Sequence, residues 1–451
     1  MQKLPLKRKI KQFVATVCIG GISLGISLAW TSPVLPQLEQ PNSSPIKITI
    51  EESSWIGATL AFGALVTAIP AGYLADCFGR KTCVLLLVIP VIIFTILVTL
   101  ATNVYYIYVA RIFSGMATGG VSVVAPMYIG EISDIQLRGV LGTFFEMLIY
   151  VGILITAVLG AYIPYKSLTI SLGCISLALG VGFLFFPESP TYLLLKKNRG
   201  KAEKSLKFYR GNDADVSREL DSIQEEIEQM QAKEKTKLCD VITSKSSLRA
   251  LIACVGLTVF QQLCAVDALT FYCVAVFQAT AVSLDAYTCA IIVTVTQSFS
   301  SLFVVFVIEK LNRKTFLYIS AGGTGVTLAA MGLYFNLKDF GYVLNWLPLG
   351  SMILFYVFFA LGMGPIPWLV NSELFSSEIK GVANGITIAS NWLMLFVVTK
   401  LFPLLMEFNP FCTFYVFAIF MILCLVFIKF CVPETKGKSL QQIQEELRTE
   451  S

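Results

Sequence analysis

Apolar residues in this chain neither alternate with polar ones nor recur at a helical period. They run on for about twenty residues at a time, the length a helix needs to cross a bilayer. Twelve stretches qualify, near 12–35, 54–75, 82–101, 104–127, 140–162, 167–186, 248–277, 284–308, 315–335, 343–370, 382–403 and 411–432. Each predicts a membrane-spanning helix. The first stays largely apolar up to Trp30 and is followed by Pro33 and Pro36 rather than by a small-residue cleavage site, so it reads as a retained span and not a signal peptide. A polar segment, 190–246, separates six spans from six. Within it 201–210 and 217–234 read as amphipathic helices of mixed charge, as does 439–448 in the tail. The predicted organisation is an N-terminal six-helix bundle (1–189), a linker with short helices (190–246), a C-terminal six-helix bundle (247–435) and a tail (436–451).

Composition agrees: 56% of residues are hydrophobic and 14% charged, against about 25% charged in a typical soluble protein. Histidine is absent, which removes imidazole acid–base catalysis and every His metal site. The twelve cysteines are scattered without a C-x-x-C, which argues against a disulfide scaffold or zinc ribbon. No nucleophile–base pair, nucleotide motif, metal site or cofactor site is expected. The +5 net charge does not point to nucleic acid, because the basic residues follow the membrane. Lys3, Lys7, Arg8, Lys9 and Lys11 precede the first span, and 190–249 carries many more, whereas the alternate loops hold only Lys47, Lys166 and Lys338, with Lys400 near one end of span eleven. By the positive-inside rule both termini and the linker are cytoplasmic. Asn42-Ser43-Ser44, the N-x-S/T sequon, then falls in the first outside loop, so Asn42 is the candidate glycosylation site.

Polar groups inside spans are expensive and are usually retained for a pathway or a binding site. Span seven carries Gln261, Gln262 and Asp267. A Gln amide offers an acceptor and two donors, which suits a neutral, hydroxyl-rich ligand. On a straight helix Gln261 and Asp267 point about 120° apart, so either the helix unwinds there or other helices complete the site. The competing role for these groups is to glue neighbouring helices. Span five carries Glu146 and span eight Gln297. Span ten contains Gly362-Met363-Gly364-Pro365-Ile366-Pro367-Trp368, which should break its helix, a feature tolerated where backbone is buried or lines a cavity. Trp368 and Trp392 offer flat faces on which a sugar ring could stack, or else pack. Arg111, followed by Gly115 and Gly119 in span four, reads as a structural lock at a close helix approach.

Three loop signatures occur once in each half. Asp76…Arg80 is echoed by Glu309…Arg313; Glu131…Arg138-Gly139 by Glu373…Lys380-Gly381; and Pro187-Glu188-Ser189 by Pro433-Glu434-Thr435. Two parallel repeats of six helices mark secondary transporters, with substrate held between the halves. The doubled charges sit at one rim. Pairing across the halves would hold that rim shut, and breaking the pairs would open it; alternatively they only mark topology.

Together these residues resemble the sugar-porter branch of the major facilitator superfamily, which includes the facilitative glucose transporters. The resemblance covers nearly the whole chain. It rests on Gly72…Asp76…Gly79-Arg80-Lys81, Arg111-x3-Gly115, Pro126…Gly130-Glu131…Arg138-Gly139 and Pro187-Glu188-Ser189-Pro190. It rests also on Gln261-Gln262-Leu263, Gly364-Pro365-Ile366-Pro367-Trp368, Asn391-Trp392 and Pro433-Glu434-Thr435-Lys436-Gly437. Trp30-Thr31-Ser32-Pro33-Val34-Leu35-Pro36 is similar to the insect trehalose and hexose transporter subgroup. The resemblance implies the all-α major facilitator fold, with alternating access of two pseudo-symmetric six-helix bundles. It also implies sugar contacts from Gln261, Gln262, Tyr272, Gln297, Trp368, Asn391 and Trp392. Asp267 stands where the family usually has Asn, Glu146 where it has Gln, Gln297 where it has Asn, and Ala360 where it has Glu. Cys77 and Thr191 each replace an Arg.

The expected function is plasma-membrane transport of a small neutral sugar, a hexose or trehalose, by facilitated diffusion. Ile26 lies near the place where proton-coupled relatives carry an Asp. The rival is a proton–sugar symporter using Glu146 or Asp267, whose desolvated carboxyl could load a proton. A receptor that binds sugar without moving it is a reading of another class, and an enzyme is more distant.

Overall fold

The computed structural model describes residues 6–39, 46–134, 137–211, 215–232, 245–307, 312–338, 344–375, 380–436, 438, 442–443 and 445–446. Asn42 and Glu309 lie outside the described residues, as does the side chain of Lys380.

All twelve spans are helical. The first six are Lys9–Glu39, Ile50–Phe78, Arg80–Leu100, Val104–Ile132, Arg138–Tyr162 and Tyr165–Phe183. The second six are Ser246–Phe271, Ala286–Val304, Arg313–Leu337, Leu347–Leu374, Gly381–Phe408 and Pro410–Cys431. Helix is the form such segments take because a bilayer offers no partner for an unpaired N–H or C=O. Several starts are capped: Thr49 and Glu52 form a capping box at span two, Asn103 caps span four and Asn409 caps span twelve. Outward faces carry exposed apolar side chains such as Val66, Ile96, Phe303, Val326 and Phe430, as suits a surface in contact with lipid.

Four spans are interrupted, span three only at Leu87. Span ten breaks between Leu361 and Ile366, as its Gly-Pro content predicts. Span seven stops at Leu263, resumes at Val266–Phe271 and again at Cys273–Gln278; Ala265 takes a left-handed conformation, φ 66°. Of the two ways sequence left open for aiming Gln261 and Asp267 together, the helix does unwind. Span one is unexpectedly divided as well, at Gly20 (φ 109°) and near Trp30.

Within the first half, spans two and four touch backbone to backbone. A Cβ on Gly115 would fall 2.0 Å from the Leu60 carbonyl oxygen, and one on Gly119 would fall 2.2 Å from that of Ala64. Arg111 locks the same region as expected. Its Nε donates to the Ile56 carbonyl (3.1 Å) and Nη1 to that of Ser27 (2.7 Å), and it lies over the rings of Trp30 and Phe271.

The linker forms helices Pro190–Leu195, Arg199–Arg210 and Ser217–Ala232, joined by an apolar cluster that includes Leu194, Leu206, Leu220 and Ile227. They are fastened to the first half. Arg210, 5% exposed, donates to the carbonyls of Ile132 and Ser133 and pairs with Asp134 (3.1 Å) and Glu219 (2.7 Å). The Tyr209 and Tyr128 hydroxyls are 2.7 Å apart, and Tyr128 donates onward to the Pro187 carbonyl. Burial pushes the Tyr209 phenol up, which keeps its proton available for this chain.

Candidate functional site

The broken span ten leaves backbone carbonyls without helical partners. Gln261 meets that need: its Nε2 donates to the carbonyls of Met363 (2.7 Å) and Gly364 (3.0 Å). Its Oε1 accepts from the Asn391 amide at 3.3 Å. Ser320 Oγ completes the junction by accepting from the Met363 N–H. Gln261 and Asn391 therefore form a buried knot inside the second half. Both donors of Gln261 are engaged, as the gluing role requires, and its oxygen keeps one lone pair for a ligand.

Gln262, 3% exposed, is placed differently. Its amide hydrogen-bonds Asp267 beyond the break, while its Oε1 has no partner. Asp267 is itself half-buried, as is Glu146 on span five of the other half. The Tyr150 hydroxyl lies within electrostatic range of both acids. Tyr150 is thus near one intramembrane carboxylate of each half. A cavity is lined by Ser32, Ile153, Thr270, Gln297 and Tyr356, again from both halves. Gln297 is 5% exposed there, and Thr270 and Tyr356 share a hydrogen bond of 2.9 Å. Trp392 is buried and Trp368 is exposed at 37%.

Tyr272 does not present its hydroxyl to this region. It is hydrogen-bonded to the Thr399 carbonyl (3.1 Å) and reaches that of Ser53 in the other half (3.5 Å), and its ring stacks on Phe402. Gly57 makes the room: a Cβ there would lie 2.2 Å from the Tyr272 oxygen. The same end is sealed by Lys400, whose Nζ donates to Ser54 Oγ (2.7 Å) and sits 4.3 Å from the Trp55 ring centre, and by Trp55 packed edge-on against Phe396. These contacts join the two halves at the end remote from the linker.

At the linker end the signature charges form one knot in each half. Arg80 pairs with Asp76 (2.8 Å) and Glu131 (2.9 Å), Ser189 Oγ donates to Glu131, and Glu188 accepts from the Lys81 N–H. The second half repeats the pattern. Arg313 pairs with Glu373 (3.5 Å), Thr435 Oγ1 donates to Glu373 (2.5 Å), and Glu434 accepts from the N–H groups of Arg313 and Lys314. Arg138 is exposed and in no ion pair among the described residues. Among the described residues each knot closes within its own half in this state. Arg80 and Arg313 are buried, and one fold used twice pairs each with an acid of its own half.

So the break in span seven sets Gln262 beside Asp267, Tyr150 lies within electrostatic range of Asp267 and of Glu146, and Gln297 lines a cavity between the halves. Gln261 and Asn391 form the adjoining knot, and Tyr272 belongs to the remote seal. Sequence reasoning missed Tyr150, Thr270, Tyr356 and the Lys400–Trp55 seal. Tyr150 had a signal, since it stands one helical turn from Glu146. Among the described residues no group of three or more His, Cys, Asp or Glu side chains could hold a metal ion.

Comparison with known proteins follows the same lines. Residues 13–447 match the family model described as sugar (and other) transporter. A facilitated trehalose transporter of Anopheles gambiae is 33% identical over 440 residues, 96% of this chain; the chain spans 55% of that relative's length. One of Apis mellifera ligustica is 31% identical over 449 residues, 98% of this chain and 89% of the relative. Among solved structures, the partially occluded inward-open form of the xylose transporter XylE from E. coli superposes with a TM-score of 0.80. It shares 22% identity and covers 96% of this chain and 99% of its own. That likeness is of the fold: twelve helices in two six-helix bundles.

Proposed function

This chain belongs to the sugar transporter family, the sugar-porter branch of the major facilitator superfamily, and from that premise we propose that it carries a hexose or trehalose by facilitated diffusion. It is a multi-pass membrane protein that transports sugar by the alternating-access mechanism of its superfamily.

The observation that carries the reading is an asymmetry of contacts. The halves are joined at the remote end by Tyr272, Lys400 and Trp55, while at the linker end, among the described residues, the ion pairs lie within each half. A pathway closed at one end and unpaired at the other is one of the two states alternating access requires. With the basic linker cytoplasmic, by the positive-inside rule, this state faces inward, and the protein sits in the plasma membrane. In the opposite state the two knots, with Arg138, approach one another and close the linker end. Gln262, Gln297, Asp267 and Glu146 receive the sugar, and Gln261 with Asn391 holds the broken helices that frame it. The trehalose transporters among the relatives support trehalose as a substrate.

Uniport is supported at span one, where Ile26 is buried and carries no proton. The test is uptake of labelled trehalose and glucose by proteoliposomes with and without an inward proton gradient. The expected result is the same final level in both, set by equilibration. Accumulation that follows the gradient would overturn uniport in favour of proton coupling through Glu146 or Asp267. Sugar binding without flux would favour a receptor.

A further inference from the structure

Four arginines are buried among the described residues, and three of them have carboxylate partners. Arg80 pairs with Asp76 and Glu131, Arg210 with Asp134 and Glu219, and Arg313 with Glu373. The fourth, Arg111, is the deepest at 0% exposure, and no acid among the described residues pairs with it. Its partners are dipoles and rings. They are the Ile56 and Ser27 carbonyls, and Trp30 and Phe271, whose ring centres lie 5.5 and 5.8 Å from the guanidinium carbon. Carbonyls lower the cost of a buried charge without cancelling it, and rings at this range are near the outer limit of the attraction.

Unused donors gather on the same elements. Arg111 Nη2 has no partner among the protein groups. Nor has the hydroxyl of Ser114, 1% exposed and one helical turn along the same face of span four. The Thr31 hydroxyl, beside Trp30 in span one and 0% exposed, is likewise unpartnered. A cavity of about 30 Å³ reaches this region, lined by Ser27 and Thr118 among apolar side chains of spans one, three, four and six. It has room for a water-sized body. One uncompensated positive charge, a set of donors and little space together select a small monovalent anion.

We propose that Arg111, Ser114 and Thr31 hold a chloride ion between spans one and four of the first half, as the counter-charge this arginine lacks. One negative charge balances one guanidinium, and a spherical acceptor takes N–H and O–H donors from any direction. A phosphate or sulfate would bring excess charge and bulk.

The test follows thermal unfolding of the detergent-solubilised full chain in sodium chloride, sodium bromide or sodium methanesulfonate, at one pH and ionic strength. Chloride and bromide should raise the unfolding temperature saturably, and the bulkier methanesulfonate should not. Ser114→Ala removes one donor and should raise the half-saturating chloride concentration about tenfold, as the loss of one hydrogen bond to a charge implies. Ser114→Asp places a carboxylate one turn from Arg111 and should unfold at the same temperature in chloride and in methanesulfonate. If that carboxylate prevents folding, the milder Ser114→Ala decides. Unfolding of the parent that ignores the anion, as water alone beside Arg111 would give, overturns the site. So does an equal response to all three salts, which is screening. A chloride response that Ser114→Ala leaves unchanged puts the ion elsewhere and overturns it too.

Discussion

Gln261 and Gln262 are adjacent and chemically identical, yet the structure gives them different work. Gln261 satisfies two carbonyls freed by the break in span ten and receives the Asn391 amide. Replacing it by Ala strands those buried groups at about 1–3 kcal/mol apiece. Gln261→Ala should therefore lower the thermal unfolding temperature of the detergent-solubilised protein markedly. Gln262 contributes one bond to Asp267 and holds a vacant acceptor, so Gln262→Ala should cost only about 1 kcal/mol while raising the KM for sugar uptake. Equal losses of stability in the two variants would contradict this division. The sequence made both amides conspicuous, because polar groups at membrane depth stand out against hydrocarbon. It could not separate them, because the partners of Gln261 lie about a hundred residues away, on a helix whose path depends on packing.

Elements were legible to different depths. Every span was legible from apolar length, since the bilayer fixes that length whatever the fold. The break in span ten was legible too, because Gly and Pro disfavour helix by local chemistry. The break in span seven was legible only as one of two alternatives, from the roughly 120° between Gln261 and Asp267: it falls at Cys264-Ala265, residues with no such bias, and Ala265 is held at φ 66° by its surroundings. Helix proximity was legible only where glycines announced it. Gly115→Ala would drive a methyl to 2.0 Å from the Leu60 carbonyl, a contact with backbone that cannot turn aside. Spans two and four must then separate, at about 1–3 kcal/mol or more. The variant should unfold at lower temperature and transport less, whereas Gly142→Ala, where nothing lies within 4 Å, should match the parent in both.

For the whole molecule, repeated signatures revealed two halves but not how their charges pair. The charged residues of these signatures lie at one rim, and spacing along the chain does not say whether a partner sits in the same half or the other. The structure answers with a repeated intra-half knot: Arg80 with Glu131, and Arg313 with Glu373. Breaking a buried pair of this kind typically costs about 3–5 kcal/mol. A double-mutant cycle on Arg80 and Glu131, read by thermal unfolding, should show strong coupling, and one on Arg80 and Glu373 should show additivity. Coupling in the second cycle would mean that the halves are clasped at the linker end.

Alternation itself is the central claim, and counterflow tests it most directly. Proteoliposomes loaded with unlabelled trehalose or glucose are diluted into a trace of the same labelled sugar. A single site exposed to one side at a time predicts a transient rise of internal label above its external concentration, followed by decay. A monotonic approach to equilibrium, indifferent to the internal sugar, would contradict the account.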